Sequence, residues 1–524
     1  MDIKLKFDPR PEQDEILDAF KLSCQEEIPF LLVDAPTGVG KSYAAMLMAN
    51  HWHETNGGKV DILTNSKMLQ SQYMKDFPFL AELKGKSNYY CDRFNTNCDE
   101  GGDLAHQEGT HCMNCPHKIA YNSFLKSKAS MVNFHLFSSY SMFVPGIMKK
   151  RDANMLVIDE AHSFEDVFTD FISLVISERV LKSVGLDDNP VVVEQMKKVK
   201  TSRDLDRFFN DFFQARVQKH IRELTDKVHK AETTKAKSGY LKNIKSAHRL
   251  LDRFKSFLED EDRDRWIFQK EEAKSAEKAP HIKIEPIWAR KYLWETIWKH
   301  YDKVVFMSAT VLDAEIFSFL NGLSEEMIFC KIDSPFPAKQ RQVYFKPVGR
   351  MSYRHKGKTI KLMIPRIKEI LEENPNVKGI IHTGNYENAY KLKDAFAGST
   401  RLLFHGPGNA EIALRKHERS HRNTVLVSPA MTHGVDLKED LSRLQIIMKV
   451  PFPSLGDRRI KRRQKENDLW YTWKTWTEVV QSCGRSVRSK DDWAVTYILD
   501  SSFYQLLRQK QMMPDYFKEA LVMP

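Results

Sequence analysis

The chain lacks what would tie it to a membrane or to an oxidising compartment. None of its apolar runs approaches the roughly 20 residues needed to cross a bilayer. The opening Met1-Asp2-Ile3-Lys4 has no apolar core of a secretory signal, so the protein is expected to work where it is made, in the cytoplasm. Only 7 of 524 residues are cysteine, which argues against a disulfide-stapled scaffold. No short-period repeat is visible, which argues against a solenoid. Neither sign of charge dominates: Lys plus Arg number 81 against 70 acidic residues, a net +11. That excess favours a polyanionic partner without requiring one, since a solvated basic surface has the same composition.

What is present is the composition of a large water-soluble chain. Hydrophobic residues make up 42% and charged residues 29%, and the length suits about three or four domains. Arg458, Arg459, Lys461, Arg462, Arg463 and Lys465 crowd one short stretch, which reads as a patch for contacting phosphates.

Two segments carry the most specific chemistry. Residues 33–42 read Val33-Asp34-Ala35-Pro36-Thr37-Gly38-Val39-Gly40-Lys41-Ser42, a short apolar strand running into a Gly-containing loop that ends in Lys-Ser. Such a loop aims backbone N–H groups at phosphates, and the following helix adds the positive end of its dipole. Lys41 can reach the β- and γ-phosphates of ATP, and the Ser42 hydroxyl can ligate Mg²⁺. Ala35 stands where the general pattern has Gly. Residues 155–162 read Met155-Leu156-Val157-Ile158-Asp159-Glu160-Ala161-His162, an apolar strand ending in two carboxylates. There Asp159 can hold Mg²⁺ and Glu160 can polarise an attacking water. A loop of the first kind can be a fortuitous turn; the pair together is much harder to explain that way.

Phe30–Val33, Val60–Leu63 and Ser130–Asn133 read as buried strands between helices. Residues 85–120, rich in Asn, Gly, Cys and His, interrupt that pattern, and so long a loop needs something to organise it. Residues 175–265 turn charged and helical. Leu205, Phe208, Phe209, Phe212 and Phe213 form one apolar face, and Leu241, Ile244, His248, Leu251, Phe254 and Leu258 form another, with His248 expected to pack. Strands return at Val304–Thr310, followed by Gly379–His382, Thr424–Ser428, Leu444–Val450 and Ala494–Leu499. Two α/β halves, the first carrying two insertions, is the economical architecture.

The second half has motifs of its own. Ser428-Pro429-Ala430-Met431-Thr432-His433-Gly434-Val435-Asp436 follows a strand. Gln481-Ser482-Cys483-Gly484-Arg485-Ser486-Val487-Arg488 sets Gln481, Arg485 and Arg488 near one helix face, from which two arginines can stabilise charge on a γ-phosphate across a cleft. Taken alone, that helix could equally be a surface with two solvated arginines.

With these segments in hand, the chain resembles the XPD/DinG-like group of superfamily 2 helicases over nearly its whole length. Ala35–Ser42 looks like motif I, Asp159–His162 like motif II, Ser308-Ala309-Thr310 like motif III and His382–Tyr386 like the motif IV region. Thr432–Asp436 resembles motif V, with His433 where the family often has Glu, and Gln481–Arg488 resembles motif VI. Arg10 and Gln13 stand where the family has its adenine-side Gln motif, and Ser334–Pro337 and Val450–Pro453 are typical of the group.

The resemblance implies two RecA-like parallel-sheet motor domains, with a Cys-rich metal-cluster insertion and a helical, arch-like insertion in the first. The boundaries expected are 1–84, 121–174 and 280–335 for the first motor domain, 85–120 for the cluster domain, 175–279 for the arch and 336–524 for the second motor domain. It implies an ATP-dependent DNA helicase moving 5′ to 3′ on a single strand and unwinding duplex at the cluster domain. It also implies a nucleotide site of Gln13, Ala35, Pro36, Thr37, Gly38, Val39, Gly40, Lys41, Ser42 and Asp436, and catalytic roles for Lys41, Asp159, Glu160, Gln481, Arg485 and Arg488. Single-stranded and forked DNA are the expected partners, with a loading protein open, and the chain is expected to be a monomer without a membrane. An ATP-driven translocase that remodels bound protein or acts on RNA, or a nucleic-acid-binding scaffold, are the alternatives; the intact Lys41, Ser42, Asp159, Glu160, Gln481, Arg485 and Arg488 argue against the scaffold.

Cys91, Cys98, Cys112 and Cys115 are separated by six, thirteen and two residues, with Pro116 after the last. Four thiolates suit tetrahedral Zn²⁺ or an iron–sulfur cluster, and spacing leaves both open. The family resemblance favours a [4Fe–4S] cluster, and the lead-in Lys86–Cys91 resembles the family's approach to its first ligand. The compact spacing departs from members whose last ligand lies further on. His106, His111 and His117 are expected to be solvated loop residues, and Cys24, Cys330 and Cys483 packed thiols.

Overall fold

A computed structural model of the protein describes residues 8–110, 115–187, 189–272, 279–323, 326–429, 439–483, 487 and 492–524. The expected strands gather into two seven-stranded sheets in which every pairing is parallel. The first runs Met327–Lys331, Phe30–Asp34, Lys303–Ser308, Met155–Asp159, Val60–Thr64, Ala129–Asn133, Ala81–Leu83. Its five central strands are buried along their whole length, as parallel strands covered by helices on both faces must be. The register sets Asp34 beside Ser308 and Asp159 beside Met307, so three neighbouring strands end together at one edge of the sheet. In open α/β sheets that carboxyl edge is where ligands bind.

The second sheet runs Leu402–Phe404, Val425–Ser428, Gly379–His382, Leu444–Ile447, Val495–Asp500, Val343–Gly349, Leu521–Val522. Four of its strands cover the runs expected from sequence, with ends shifted by at most three residues, and Leu402–Phe404, Val343–Gly349 and Leu521–Val522 are additions to them. Helix Asp468–Cys483 buries Trp470, Trp473 and Trp476 in a core that joins both halves.

Both insertions into the first half contain more regular structure than their composition announced. Within 85–120, a short antiparallel pair, Tyr90–Cys91 with Thr96–Asn97, leads into helix Cys98–Gln107. That helix begins because the Asn97 side chain accepts the Asp99 and Glu100 amides at 3.1 Å each. The later insertion is helical over Gln214–Lys230 and Thr234–Leu258, which pack on one another. The phenylalanine run Phe208–Phe213 is a π-helical turn between two α-helical segments. A three-stranded antiparallel sheet, Leu174–Ile176, His281–Pro286, Trp266–Glu271, closes its base. The two insertions touch: Lys245 pairs with Asp99 at 3.2 Å.

Two histidine expectations need correction. His248 is exposed, because the buried stripe of its helix runs through Ala247, Leu250, Leu251, Phe254 and Phe257 instead. His117 is buried rather than solvated, with ring centroids 5.3 Å from Tyr89 and 6.2 Å from Tyr121. That burial, with Lys86 and Lys118 nearby, pushes its pKa down to about 4. Among the described residues no helix is long and apolar enough to cross a membrane.

Candidate nucleotide site

Strand Phe30–Asp34 delivers the loop, and helix Lys41–Asn56 begins directly after it. The turn depends on Gly38 and Gly40, both left-handed at φ +88° and +89°. A Cβ on Gly40 would stand 2.2 Å from Gln13 Nε2, so a side chain is excluded there twice over. Gln13 donates to the Val39 carbonyl at 3.0 Å, and Arg10 Nη1 donates to that of Gly38 at 3.2 Å, tying the N-terminal helix to the loop. Lys41 Nζ donates to the Ala35 and Pro36 carbonyls at 2.9 and 3.2 Å.

The carboxylates stand opposite. Arg10, Gln13, Thr37, Gly38, Gly40, Lys41, Ser42, Tyr73, Asp159 and Glu160 all line one cleft of about 400 Å³. Ala35 and Val39 are fully buried behind the loop. Burial and the neighbouring Glu160 raise the Asp159 pKa to about 6, against the opposing pull of Lys41. Glu160 sits in left-handed backbone at φ +57°, uncommon for a residue with a side chain and costly enough to need support from its surroundings. Asp34 accepts the Val311 and Leu312 amides at 3.1 and 3.0 Å, and burial raises its pKa to about 6.

Beside this cleft a chain of hydrogen bonds runs from His162 to the second half. His162 Nδ1 lies 3.4 Å from a Glu160 carboxylate oxygen and shares a 2.9 Å hydrogen bond with Ser308 Oγ. Ser308 Oγ meets Thr310 Oγ1 at 3.3 Å, and Gln481 Nε2 donates to Thr310 Oγ1 at 2.9 Å. Gln481 therefore lies in an adjoining cavity with Pro36, Thr37 and Thr310, not in the main cleft. The same segment is gripped by Trp473, whose indole donates to Val311 O at 2.8 Å, and by Tyr516, which donates to Ala309 O at 3.2 Å.

Two family models match: one described as "Helicase C-terminal domain" over 368–520, the other as "Type III restriction enzyme, res subunit" over 6–181. A relative named ATP-dependent DNA helicase YoaA, from Haemophilus influenzae, is 22% identical over an alignment covering 94% of this chain and 91% of that protein. The protein of the same name from Escherichia coli is 25% identical over 267 residues, 38% of this chain and 40% of its own length. A solved structure titled "XPD_Helicase" superposes with TM-score 0.66, covering 99% of this chain and 100% of that one at 16% identity. A second, titled "Structure of S. tokodaii Xpd4", gives 0.55 at 14% identity, with 98% of each chain covered. These matches support the resemblance to the XPD/DinG-like group of superfamily 2 helicases.

Of the residues expected to act in this helicase, Asp436, Arg485, Arg488 and Cys112 lie outside the described residues, as do His111 and His433. The other three clustered cysteines share the first insertion. Cys98 Sγ and Cys115 Sγ are 3.8 Å apart, and Cys91 Sγ packs against Gly101 of the helix that Cys98 opens. Among the described residues no set of three or more Cys, His, Asp or Glu side chains is arranged to hold a metal ion. Thiols are the donor chemistry either a cluster or zinc would take, and the Cys98–Cys115 pair is the part of that set already together.

Two residues of the basic stretch are withdrawn from the phosphate patch its sequence suggested, while Arg458, Lys461, Arg462 and Lys465 are exposed. On helix Arg458–Glu466, Arg459 and Arg463 are buried. Arg463 Nη1 donates to Glu165 Oε2 at 3.1 Å, and its guanidinium lies 4.5 and 5.1 Å from the Trp288 and Trp470 ring centroids. Arg459 reaches Glu165 and Glu285 at 3.5 Å each. These arginines fasten the second half to the first, and Lys461 and Lys465 are left exposed.

Sequence reading passed over Tyr73. Its hydroxyl donates to Asp159 Oδ2 at 2.7 Å, deep in the cleft. The one signal was an aromatic three residues after Gln70, sharing the buried face of a polar helix, Lys67–Asp76.

Proposed function

We propose that this protein is an ATP-dependent DNA helicase that moves 5′ to 3′ along a single strand. The observation that carries the reading is the convergence of Lys41, Ser42, Asp159 and Glu160 on one cleft whose far wall is wired, through His162, Ser308 and Thr310, to Gln481 of the second half.

The residues divide the work as follows. The loop amides and the Lys41 ammonium bind the β- and γ-phosphates, for which Lys41 exchanges its bonds to Ala35 and Pro36. Gln13 and Arg10 fix the loop from the adenine side. Hard oxygens from Ser42 and Asp159 fit Mg²⁺, which would neutralise phosphate charge when bound. Glu160 orients water for attack on the γ-phosphate. Arg485 and Arg488 act on the developing charge from the second half, and Asp436 contacts the nucleotide from there. Because Thr310 is hydrogen-bonded to both Ser308 and Gln481, a change at the γ-phosphate is felt in the spacing of the halves. Cyclic closure of this kind drives movement along a strand held by phosphate contacts and stacking.

The test is ATP hydrolysis with and without single-stranded DNA, and unwinding of forks carrying opposite tails. Hydrolysis stimulated by DNA, with unwinding confined to forks offering a 5′ tail, supports the reading. DNA-stimulated hydrolysis with displacement of bound protein but no strand separation would favour a remodelling translocase.

For the cysteine insertion we propose a [4Fe–4S] cluster on Cys91, Cys98, Cys112 and Cys115, at the point where duplex is split. One observation favours zinc: a Zn–S bond of about 2.3 Å sets two tetrahedral sulfurs about 3.8 Å apart, which is the Cys98–Cys115 separation. Anaerobically purified protein that is brown, with about four irons per chain, supports the cluster; colourless protein with one zinc and no iron replaces it.

A further inference from the structure

Tyr73 lies on helix Lys67–Asp76, whose buried face uses its polar groups rather than apolar ones. Gln70 donates to the Leu83 carbonyl at 3.2 Å, and Tyr73 donates to Asp159 Oδ2 at 2.7 Å. The other Asp159 oxygen accepts the Glu160 amide at 3.0 Å. One phenolic oxygen therefore holds a side chain that the nucleotide-site reading assigns to the cation. Its ring is held in the core of the first half, 6.0 Å from the Phe77 ring centroid, and Tyr73 is 2% exposed. Such a ring cannot swing away without breaking packing.

We propose that Tyr73 is a positioning residue for the divalent cation of ATP hydrolysis, fixing the rotamer of Asp159 through a single phenol. The inference rests on the nucleotide-site reading and deepens it. A buried carboxylate beside a second carboxylate would otherwise be free to rotate toward solvent or toward Lys41. A hydrogen-bond donor anchored in the core removes that freedom, as outer partners of metal-binding groups commonly do.

The test compares Tyr73→Phe with the parent in the full-length protein. The variant removes one oxygen and keeps the ring, so its melting temperature should stay close to the parent's. Binding of Mn²⁺ to the ADP complex, read by electron paramagnetic resonance, should weaken about tenfold. The Mg²⁺ concentration giving half-maximal ATP hydrolysis should rise by a similar factor, while kcat recovers at saturating Mg²⁺. Unchanged Mn²⁺ affinity would overturn the proposal and leave Tyr73 a core residue. Tighter Mn²⁺ binding would overturn it too, by making the phenol a competitor for the same ligands. Lys41→Ala separates this from the underlying reading. If that variant hydrolyses ATP like the parent, the nucleotide site itself is wrong; if it is inactive while Tyr73→Phe has parental Mn²⁺ affinity, only the role of Tyr73 fails.

Discussion

The nucleotide cleft and the seam around helix Arg458–Glu466 are both dense in charge, and they use it in opposite ways. In the cleft, Lys41, Asp159 and Glu160 line an open space of about 400 Å³. Lys41 donates to neutral carbonyls that a phosphate can displace. In the seam, buried Arg459 and Arg463 are met by Glu165, Glu285 and two tryptophan faces. A buried cation with a full set of partners stabilises an arrangement, whereas one facing a cavity is free to bind. The number of basic residues in a stretch does not distinguish these cases; where their partners come from does.

The contrast breaks most visibly at Arg463. Arg463→Ala takes from buried Glu165 its closest cation, leaving the longer contact to Arg459, and should cost about 3–5 kcal/mol. Trp288 and Trp470 flank the site, so tryptophan fluorescence during chemical denaturation should report the loss directly. Replacing Arg463 by Met and Glu165 by Leu together should cost much less, because no charge is stranded. Equal losses in the single and double variants would mean that packing, not pairing, holds the seam.

Lys41→Ala is the corresponding cut in the cleft, and it should leave stability nearly untouched. Loss of one preorganised group on the transferring phosphoryl is worth about 10²–10³ in rate, or roughly 3–4 kcal/mol of barrier. The measurement is steady-state ATP hydrolysis with single-stranded DNA, alongside a thermal melt. A variant that melts early but hydrolyses normally would place Lys41 with the seam arginines.

Between these lies the bond that joins the two regions' halves. Gln481 and Thr310 meet at 2.9 Å, and a net hydrogen bond is worth about 0.5–1.5 kcal/mol. Gln481→Ala and Thr310→Val should each slow DNA-stimulated hydrolysis a few-fold, and the double variant should be no slower than the worse single. Additive losses would show that the contact does not carry the coupling.

Much of the fold was readable because buried parallel strands are short apolar runs, and Phe30–Asp34, Val60–Thr64 and Met155–Asp159 are of that kind. The loop was readable because its backbone geometry admits few residues, Gly40 being blocked by Gln13. What escaped depended on distant partners. Arg463 pairs with Glu165, separated from it by 298 positions, and Tyr73 with Asp159, separated by 86. No local pattern encodes such pairings. His248 failed for a related reason: an apolar stripe drawn every three or four residues can be rotated by one position, and the partner helix decides which version is buried. The sheet closing the base of the helical insertion joins strands from 174 to 286 and has no short-range turn signal.

The smallest effect belongs to the residues that keep the sequence's first meaning. Lys461 and Lys465 are exposed on the same helix that buries Arg459 and Arg463. Surface substitutions of this kind change stability by no more than about 0.5 kcal/mol. If their ammonium groups meet the backbone of a single strand, each contact releases counterions. Changing both to Ala should then lower the slope of log affinity against log salt concentration by about 1.4. Fluorescence-anisotropy titrations of labelled single-stranded DNA at several salt concentrations measure that slope. Arg463→Met with Glu165→Leu serves as the comparison and should leave the slope where it was, because neither side chain faces solvent. An unchanged slope in the lysine variant would make the whole helix structural, and a reduced slope in the seam variant would mean that its arginines leave their carboxylates when DNA binds.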